Sequence, residues 1–137
     1  MKKSIALKIY LIVSGLLLTI IGGATLIDPV TIKASSGIDL AGNTNLLNDV
    51  RATGSLILTI ALLTLSGAYS PKLRYTASIA STLLFISLGL GRIVSIINDG
   101  MPYEGIVKAT GLEMVLGIIG AILFFIFKNN TLTSKAY

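Results

Sequence analysis

The stretch STLLFISLGLGRIVSII, residues 81–97, carries no charged side chain except Arg92. The stretch GLEMVLGIIGAILFFIF, residues 111–127, carries none except Glu113. A charge at the centre of a bilayer costs about 2.5 to 3.5 kcal/mol even on the translocon-insertion scale, so such groups are usually paired. The two stretches therefore predict membrane-spanning helices in which Arg92 and Glu113 are partners.

Two more apolar segments accompany these stretches. A helix needs about 20 residues to cross a hydrocarbon layer of about 30 Å, and segments near this length cover residues 9–27, 53–69, 75–97 and 111–127. The first is too long an apolar run for a secretion signal, so we expect it to be retained as a span. A short turn containing Pro71 makes the second and third spans antiparallel neighbours. The sequence predicts an all-α fold, an antiparallel bundle of four transmembrane helices.

The composition narrows the class of protein. Of the 137 residues, 53% are hydrophobic and 12% are charged, and the mean hydropathy is +0.87. Soluble domains carry about 25% charged residues. Because four spans take up about 80 positions, we expect residues 1–137 to form a single transmembrane bundle.

The chain contains no cysteine and no histidine. This composition excludes disulfides, thiol chemistry and thiolate metal sites, and it removes the commonest general base and metal ligand. We therefore predict no metal site and no cofactor, and we favour a role other than catalysis.

Basic residues divide the polar segments into two groups. The termini and the turn between the second and third spans hold seven basic residues and no acidic ones, whereas the other two connections hold three basic and five acidic residues. By the positive-inside rule, both termini are cytoplasmic and the loops 28–50 and 98–108 face outward. The net charge of +5 then reflects topology, and no nucleic-acid partner is predicted. The seven basic residues are Lys2, Lys3, Lys8, Lys72, Arg74, Lys128 and Lys135.

The outer loop 28–50 is rich in Gly, Ser, Asn and Thr and is too polar to enter hydrocarbon. We expect it either to contain one short helix or simply to cover the outer end of the bundle. Asn45 or Asn48 is expected to cap the second span, because a short side-chain acceptor satisfies free amide groups at a helix start.

Charged residues near the outer ends of the spans predict a polar cluster. Arg92 lies about five residues, or about 8 Å, inside the outer end of the third span, and Glu113 lies at a similar depth in the fourth. Arg51 is at a comparable level and is expected to share Glu113 or to pair with a nearby aspartate, Asp49 or Asp99. The predicted ligand-binding residues are Arg51, Arg92, Glu113, Asn48 and Asp99.

Two interpretations of this cluster stay open. In the structural one, Arg92 and Glu113 satisfy each other and fix how the helices pack. In the functional one, two arginines and one glutamate leave a surplus positive charge in an outward-facing pocket. Such a pocket suits a small anionic or lipid ligand, because guanidinium binds oxyanions through two parallel hydrogen bonds. Arg92 would then be the first anchor, Arg51 the second, and Glu113 would orient Arg92.

Two further classes of function are alternatives. A structural or partner-binding bundle would use small-residue faces, such as those of Gly15 and Gly117, to bind another membrane protein or a second copy of the chain. A membrane enzyme would have to use Glu113 or Asp99 as base, with arginines stabilising an oxyanion.

The polar residues also form a recognisable pattern. The segments Asn48-Asp49-Val50-Arg51-Ala52-x-Gly54, Leu90-Gly91-Arg92-Ile93-Val94-Ser95 running to Asp99-Gly100-x-Pro102, and Glu113-x-x-Leu116-Gly117 stand at the outer ends of the last three spans. This pattern resembles the small four-span bacterial membrane proteins of domain-of-unknown-function family 4345, although Ser55 stands where a second glycine is expected. The resemblance implies a bacterial membrane protein with four helices, and it implies no activity. Together with the four predicted spans, it leads us to expect a multi-pass protein of the bacterial inner membrane.

Overall fold

The computed structural model describes the backbone of residues 2–133 and the side chains of residues 5–127. This part of the chain is helical and contains no strand, as the sequence predicts. The side chains of Lys2, Lys3 and Lys128, and the whole of Lys135, lie outside the described residues. The helices are α1 (Lys2–Ile27), α2 (Pro29–Ala34), α3 (Thr44–Tyr69), α4 (Arg74–Asp99) and α5 (Glu104–Thr133).

The four long helices extend beyond the predicted spans at both ends of the bundle. Helix α3 begins at Thr44, because the side chain of Asn43 accepts a hydrogen bond of 3.0 Å from the amide of Leu46. The prediction that Asn45 or Asn48 caps this helix is therefore wrong, since the helix starts before both of them. Polar residues can continue a helix outside hydrocarbon, where hydropathy gives no signal.

Helices α1, α3, α4 and α5 form an antiparallel bundle in which α1 packs along α3 and α4 packs along α5. At the end that holds the chain termini, Leu7, Tyr10 and Leu11 of α1 are buried against Ala68 and Ala77. Further along the bundle, Leu18 of α1 packs in a second buried cluster with Ile57, Ala61 and Phe85. The first turns of α1 and the part of α5 near Phe127 thus lie at one end of the bundle. The other end holds the connections 28–43 and 100–103, and we call it the outer end after the predicted topology.

Small residues allow these helices to approach closely. A Cβ atom at Gly15 would lie 2.7 Å from the side chain of Leu65, and one at Gly117 would lie 2.7 Å from Cγ1 of Ile86. Both glycines therefore face contacts within the chain. The alternative that these two faces bind a partner loses its support.

The loop after α1 contains the short helix α2. Asp28 caps α2 by accepting a hydrogen bond from the amide of Thr31, and Pro29 stands in its first turn. Gly37 has a φ of 75°, which favours glycine, and it turns the chain back so that Leu40 is buried with 1% exposure. Of the two expectations for this loop, the short helix is correct, and it places Lys33 above the outer end of the bundle.

The outer surface of the bundle is apolar. Four helices are long and apolar enough to cross a bilayer, and only 17–39% of the residues in their most apolar windows are buried inside the protein. Ile20, Ile97 and Phe125 expose 68%, 75% and 59% of their surface. Such a surface requires lipid around it, and the protein is a multi-pass membrane protein.

Candidate functional site

Arg92 of α4 and Glu113 of α5 form a two-bonded ion pair. Nε of Arg92 donates to Oε2 of Glu113 at 2.8 Å, and Nη2 donates to Oε1 at 3.1 Å. The Glu113 side chain is 13% exposed and that of Arg92 is 35% exposed. The predicted pairing of these two residues is confirmed.

The pair leaves part of the guanidinium available. Arginine has five N–H donors, and Glu113 takes one from Nε and one from Nη2. Among the described residues, one N–H of Nη2 and both of Nη1 have no partner. One N–H from each of these two nitrogens forms the second edge of the planar group. This edge has the geometry that binds a carboxylate or phosphate through two parallel hydrogen bonds.

A cavity of about 130 Å³ lies beside the ion pair, between the outer halves of the long helices. All its polar lining residues lie toward the end of the bundle at which α5 begins, which we call the upper part of the cavity, whereas its opposite, lower part is lined by apolar side chains. The polar lining residues are Thr25, Lys33, Thr53, Arg92 and Glu113; the apolar ones are Leu17, Leu18, Ile21, Ile57, Phe85, Leu88, Ala109 and Leu112.

Lys33 of α2 is the second cation of this cavity. Its side chain is half-buried, and desolvation by burial, with the nearby Arg92 guanidinium, lowers the pKa of Lys33 below its usual 10.5. Within the described part of the chain, no carboxylate forms an ion pair with Lys33. The cavity is therefore lined by two cationic groups and one carboxylate.

Arg51 has a different role from the predicted one. Its guanidinium donates to the backbone carbonyls of Leu26 and Ile27, the last two residues of α1. The expectation that Arg51 shares Glu113 or pairs with Asp49 or Asp99 is therefore corrected. The last turn of α1 has no basic side chain of its own, and a cation there interacts favourably with the unpaired carbonyls and the helix dipole.

The other predicted site residues also lie outside the lining of the cavity. Asn48 is exposed on the outer part of α3. Asp99 is exposed at the end of α4, where it accepts a hydrogen bond of 2.9 Å from the Ser95 hydroxyl. Of the five predicted residues, the structure brings only Arg92 and Glu113 together at the cavity.

Sequence reasoning did not select Lys33 as a site residue. A signal was present, because Asp28-Pro29 combines a preferred N-cap residue with the preferred first residue of a helix. A short helix beginning there and folding back over the bundle would carry Lys33 toward its outer end. The direction of that fold is a tertiary property, and the local sequence does not encode it.

The site is suited to binding an oxyanion. It offers two cationic groups, a free guanidinium edge and the hydroxyl-bearing side chains of Thr25 and Thr53. In the described residues, no group of three or more His, Cys, Asp or Glu side chains gathers to hold a metal ion.

Comparison with known proteins identifies a family. The family described as "Domain of unknown function (DUF4345)" matches residues 6–124, which is most of the chain. No curated protein and no solved structure matches the chain. The chain belongs to the DUF4345 family.

Proposed function

We propose that this member of the DUF4345 family binds the anionic group of a small molecule or lipid in the cavity between Lys33, Arg92 and Glu113. Arg92 is the anchor, and Glu113 orients it by holding one edge of its guanidinium. Lys33 supplies the second positive charge, the role that the sequence assigned to Arg51. Asn48 and Asp99 take no direct part in this proposal.

The observation that carries the proposal is the charge imbalance of the cavity. Glu113 neutralises one of the two cations that line it. Lys33 is half-buried beside Arg92, and no carboxylate among the described side chains forms an ion pair with it. Because a poorly solvated charge is costly without a counter-charge, an anion bound between Lys33 and Arg92 lowers the free energy of the site.

We also propose that the cavity opens on the external side of a bacterial inner membrane. The cavity lies at the end of the bundle opposite the chain termini. The basic residues concentrate at the terminal end, where Lys72 and Arg74 have no acidic neighbours in the sequence. The positive-inside rule places that end in the cytoplasm.

The test is anion-dependent stability of the full chain in a non-ionic detergent. Inorganic phosphate and acetate are the probes, with sodium chloride at matched ionic strength as the reference. A ligand that binds only the folded state at 100 times its Kd stabilises the protein by about 2.7 kcal/mol. We expect phosphate or acetate to raise the unfolding temperature of the wild type beyond the effect of chloride.

Lys33→Gln should weaken this binding by about tenfold or more, since a charge-assisted hydrogen bond contributes about 1.5 to 3 kcal/mol. Lys108→Gln is the matched control. It removes one positive charge from the same end of the bundle, and its exposed pair with Glu104, at 2.7 Å, contributes little. Equal stabilisation of Lys33→Gln and wild type would refute the proposal, as would the absence of any anion effect.

A structural role for the ion pair is the second candidate, favoured by its two-bonded geometry. In that case Arg92 and Glu113 fix α4 against α5 and no ligand is involved. The same experiment separates the two candidates, because a purely structural pair predicts no effect of phosphate or acetate.

A further inference from the structure

The cavity combines a charged upper end with an apolar lower end. Phe85 lies seven residues before Arg92 on α4, which corresponds to about 10 Å along the helix. Phe85 and Leu18 are each 1% exposed and line the lowest part of the cavity. No charged residue lines this lower part. An inorganic anion would fill the upper end and leave the apolar walls without a contact.

The size of the cavity limits what it encloses. A volume of about 130 Å³ equals that of about four water molecules at about 30 Å³ each. Sites that enclose a drug-sized molecule measure about 300 Å³ or more. The cavity therefore holds a carboxylate or phosphate group and the first atoms of an attached chain, and a longer chain must continue outside it.

The opening through which an attached chain would leave the cavity lies between α1 and α5. Ile21 of α1 and Leu112 of α5 both line the cavity, yet they are 42% and 48% exposed. At the opposite end of the bundle the same two helices touch. There, a Cβ atom at Gly120 would clash with the hydroxyl of Tyr10. The seam between α1 and α5 is thus closed in the terminal half and opens toward lipid beside the cavity.

We propose that the bound anion is the head group of an acyl-chain amphiphile from the adjacent bilayer leaflet, and that it enters sideways between α1 and α5. The head group, a carboxylate or phosphate, meets Lys33 and Arg92. The first part of the chain contacts Leu18 and Phe85, and the rest lies along the seam in the bilayer. This inference rests on the proposed anion binding and adds the chain and the route of entry.

The protein provides an internal control for non-specific chain insertion. A second crevice, of about 230 Å³, lies on the lipid-facing side of α4 and α5 and has no charged lining residue. It is larger than the cavity, and Ile79, Leu83, Ile86 and Phe124 are among its apolar lining residues. If apolar space alone attracted chains, this crevice would be occupied first.

The test uses the full chain in phosphatidylcholine vesicles with a trace of a fatty acid that carries a diazirine on its chain. After illumination, mass spectrometry locates the labelled residues. We expect labels on residues 17–25 of α1 and 109–116 of α5, and fewer at the crevice. Unlabelled laurate should displace the probe at concentrations about tenfold or more below those of acetate, because each buried CH₂ contributes about 0.8 kcal/mol.

Two pairs of variants sharpen this test. Lys33→Gln should reduce seam labelling, whereas Lys108→Gln should not. Leu112→Trp fills the opening of the seam and should reduce labelling, whereas Ile118→Trp, at a position 53% exposed on the same helix, should not.

The outcomes separate this inference from the proposed function. Suppose that phosphate and acetate stabilise the wild type and that this effect requires Lys33. The proposed anion binding then stands. The amphiphile proposal is nevertheless refuted if acetate displaces the probe as well as laurate does, or if the labels lie mainly at the crevice. If neither the stabilisation by small anions nor the labelling by the fatty acid depends on Lys33, both proposals fail.

Discussion

Gly22 of α1 and Gly54 of α3 lie against each other with no side chain between their backbones. A Cβ atom at Gly22 would lie 3.0 Å from the carbonyl oxygen of Gly54, and one at Gly54 would lie 3.1 Å from the carbonyl oxygen of Gly22. Arg51 lies less than one turn from Gly54 and reaches the end of α1 from there. This contact brings the outer ends of α1 and α3 together and supports one wall of the cavity.

We expect Gly22→Ala to destabilise the bundle by about 1 to 3 kcal/mol, the usual range for overpacking. The added methyl group would lie 2.6 Å from the backbone nitrogen of Leu58, and a helix backbone cannot move without displacing its neighbours. Gly23→Ala is the control, because a Cβ atom there meets nothing within 4 Å. That substitution should be neutral or stabilise by up to about 1 kcal/mol through helix propensity. Unfolding in mixed micelles measures both, and equal effects would contradict the close contact.

Removal of one member of the ion pair should cost more than removal of both. Arg92→Leu leaves Glu113 unpaired and 13% exposed, and we expect a loss of about 2 to 3 kcal/mol, below the range for fully buried pairs. The double variant Arg92→Leu with Glu113→Leu should recover most of this loss. A double-mutant cycle in the same micelles gives the coupling energy. Additive effects would show that the pair contributes nothing to stability.

Acetate binding should weaken as pH rises through the lowered pKa of Lys33 toward 10.5. Burial and Arg92 lower the pKa of Lys33 below its usual 10.5, so Lys33 in the folded protein loses its proton at a lower pH than in the unfolded chain. Acetate remains ionised throughout this range, and arginine side chains in proteins stay protonated. In Lys33→Gln this pH dependence should disappear. An acetate affinity that is constant in the wild type would contradict the role of Lys33.

The folding stability of the ligand-free protein should rise with pH, whereas its affinity for acetate falls. Between the lowered pKa and 10.5, the unfolded chain binds more protons at Lys33 than the folded protein does, so stability rises with pH in that window. Below the lowered pKa, Lys33 is protonated in both states and the full cost of its burial is present. Thermal unfolding without added anion, compared between the wild type and Lys33→Gln, measures this difference. A wild type that loses stability through this window relative to Lys33→Gln would show that Lys33 already has a counter-charge.

Arg51→Leu separates helix capping from ligand binding. Loss of the hydrogen bonds to Leu26 and Ile27 should lower stability by about 0.3 to 1 kcal/mol, the range for a cation at an exposed helix C-terminus. Phosphate and acetate should still bind Arg51→Leu with wild-type affinity. Loss of anion binding in this variant, with stability retained, would restore Arg51 as the second anchor.

The orientation in the membrane is directly measurable because the chain contains no cysteine. We expect a single cysteine at position 45, in the variant Asn45→Cys, to react with a membrane-impermeant maleimide added to intact spheroplasts. A cysteine in the variant Lys72→Cys should react only after the membrane is opened. Both positions are exposed, so access to the reagent depends on the side of the membrane. The reverse labelling pattern would place the cavity in the cytoplasm.

The sequence by itself determined the bundle and the ion pair. Hydropathy identifies segments that only a bilayer can solvate, and it does so without knowledge of their neighbours. The pairing of Arg92 with Glu113 followed from the free-energy cost of an unpaired charge in a bilayer. Each of the two charges needs a partner, and they lie at the same depth on neighbouring spans. The helix ends at Thr44 and Glu104 did not follow from hydropathy, since they lie in polar sequence outside the spans.

Only the tertiary structure decided which cation joins the pair. Arg51 and Lys33 both stand near the outer end in the sequence, and both carry the same charge. Their roles depend on the packing of Gly22 against Gly54, which directs Arg51 to the end of α1, and on the turn at Gly37, which folds α2 over the bundle. Such contacts join residues that are distant in sequence, and no local pattern encodes the direction in which a side chain finally points.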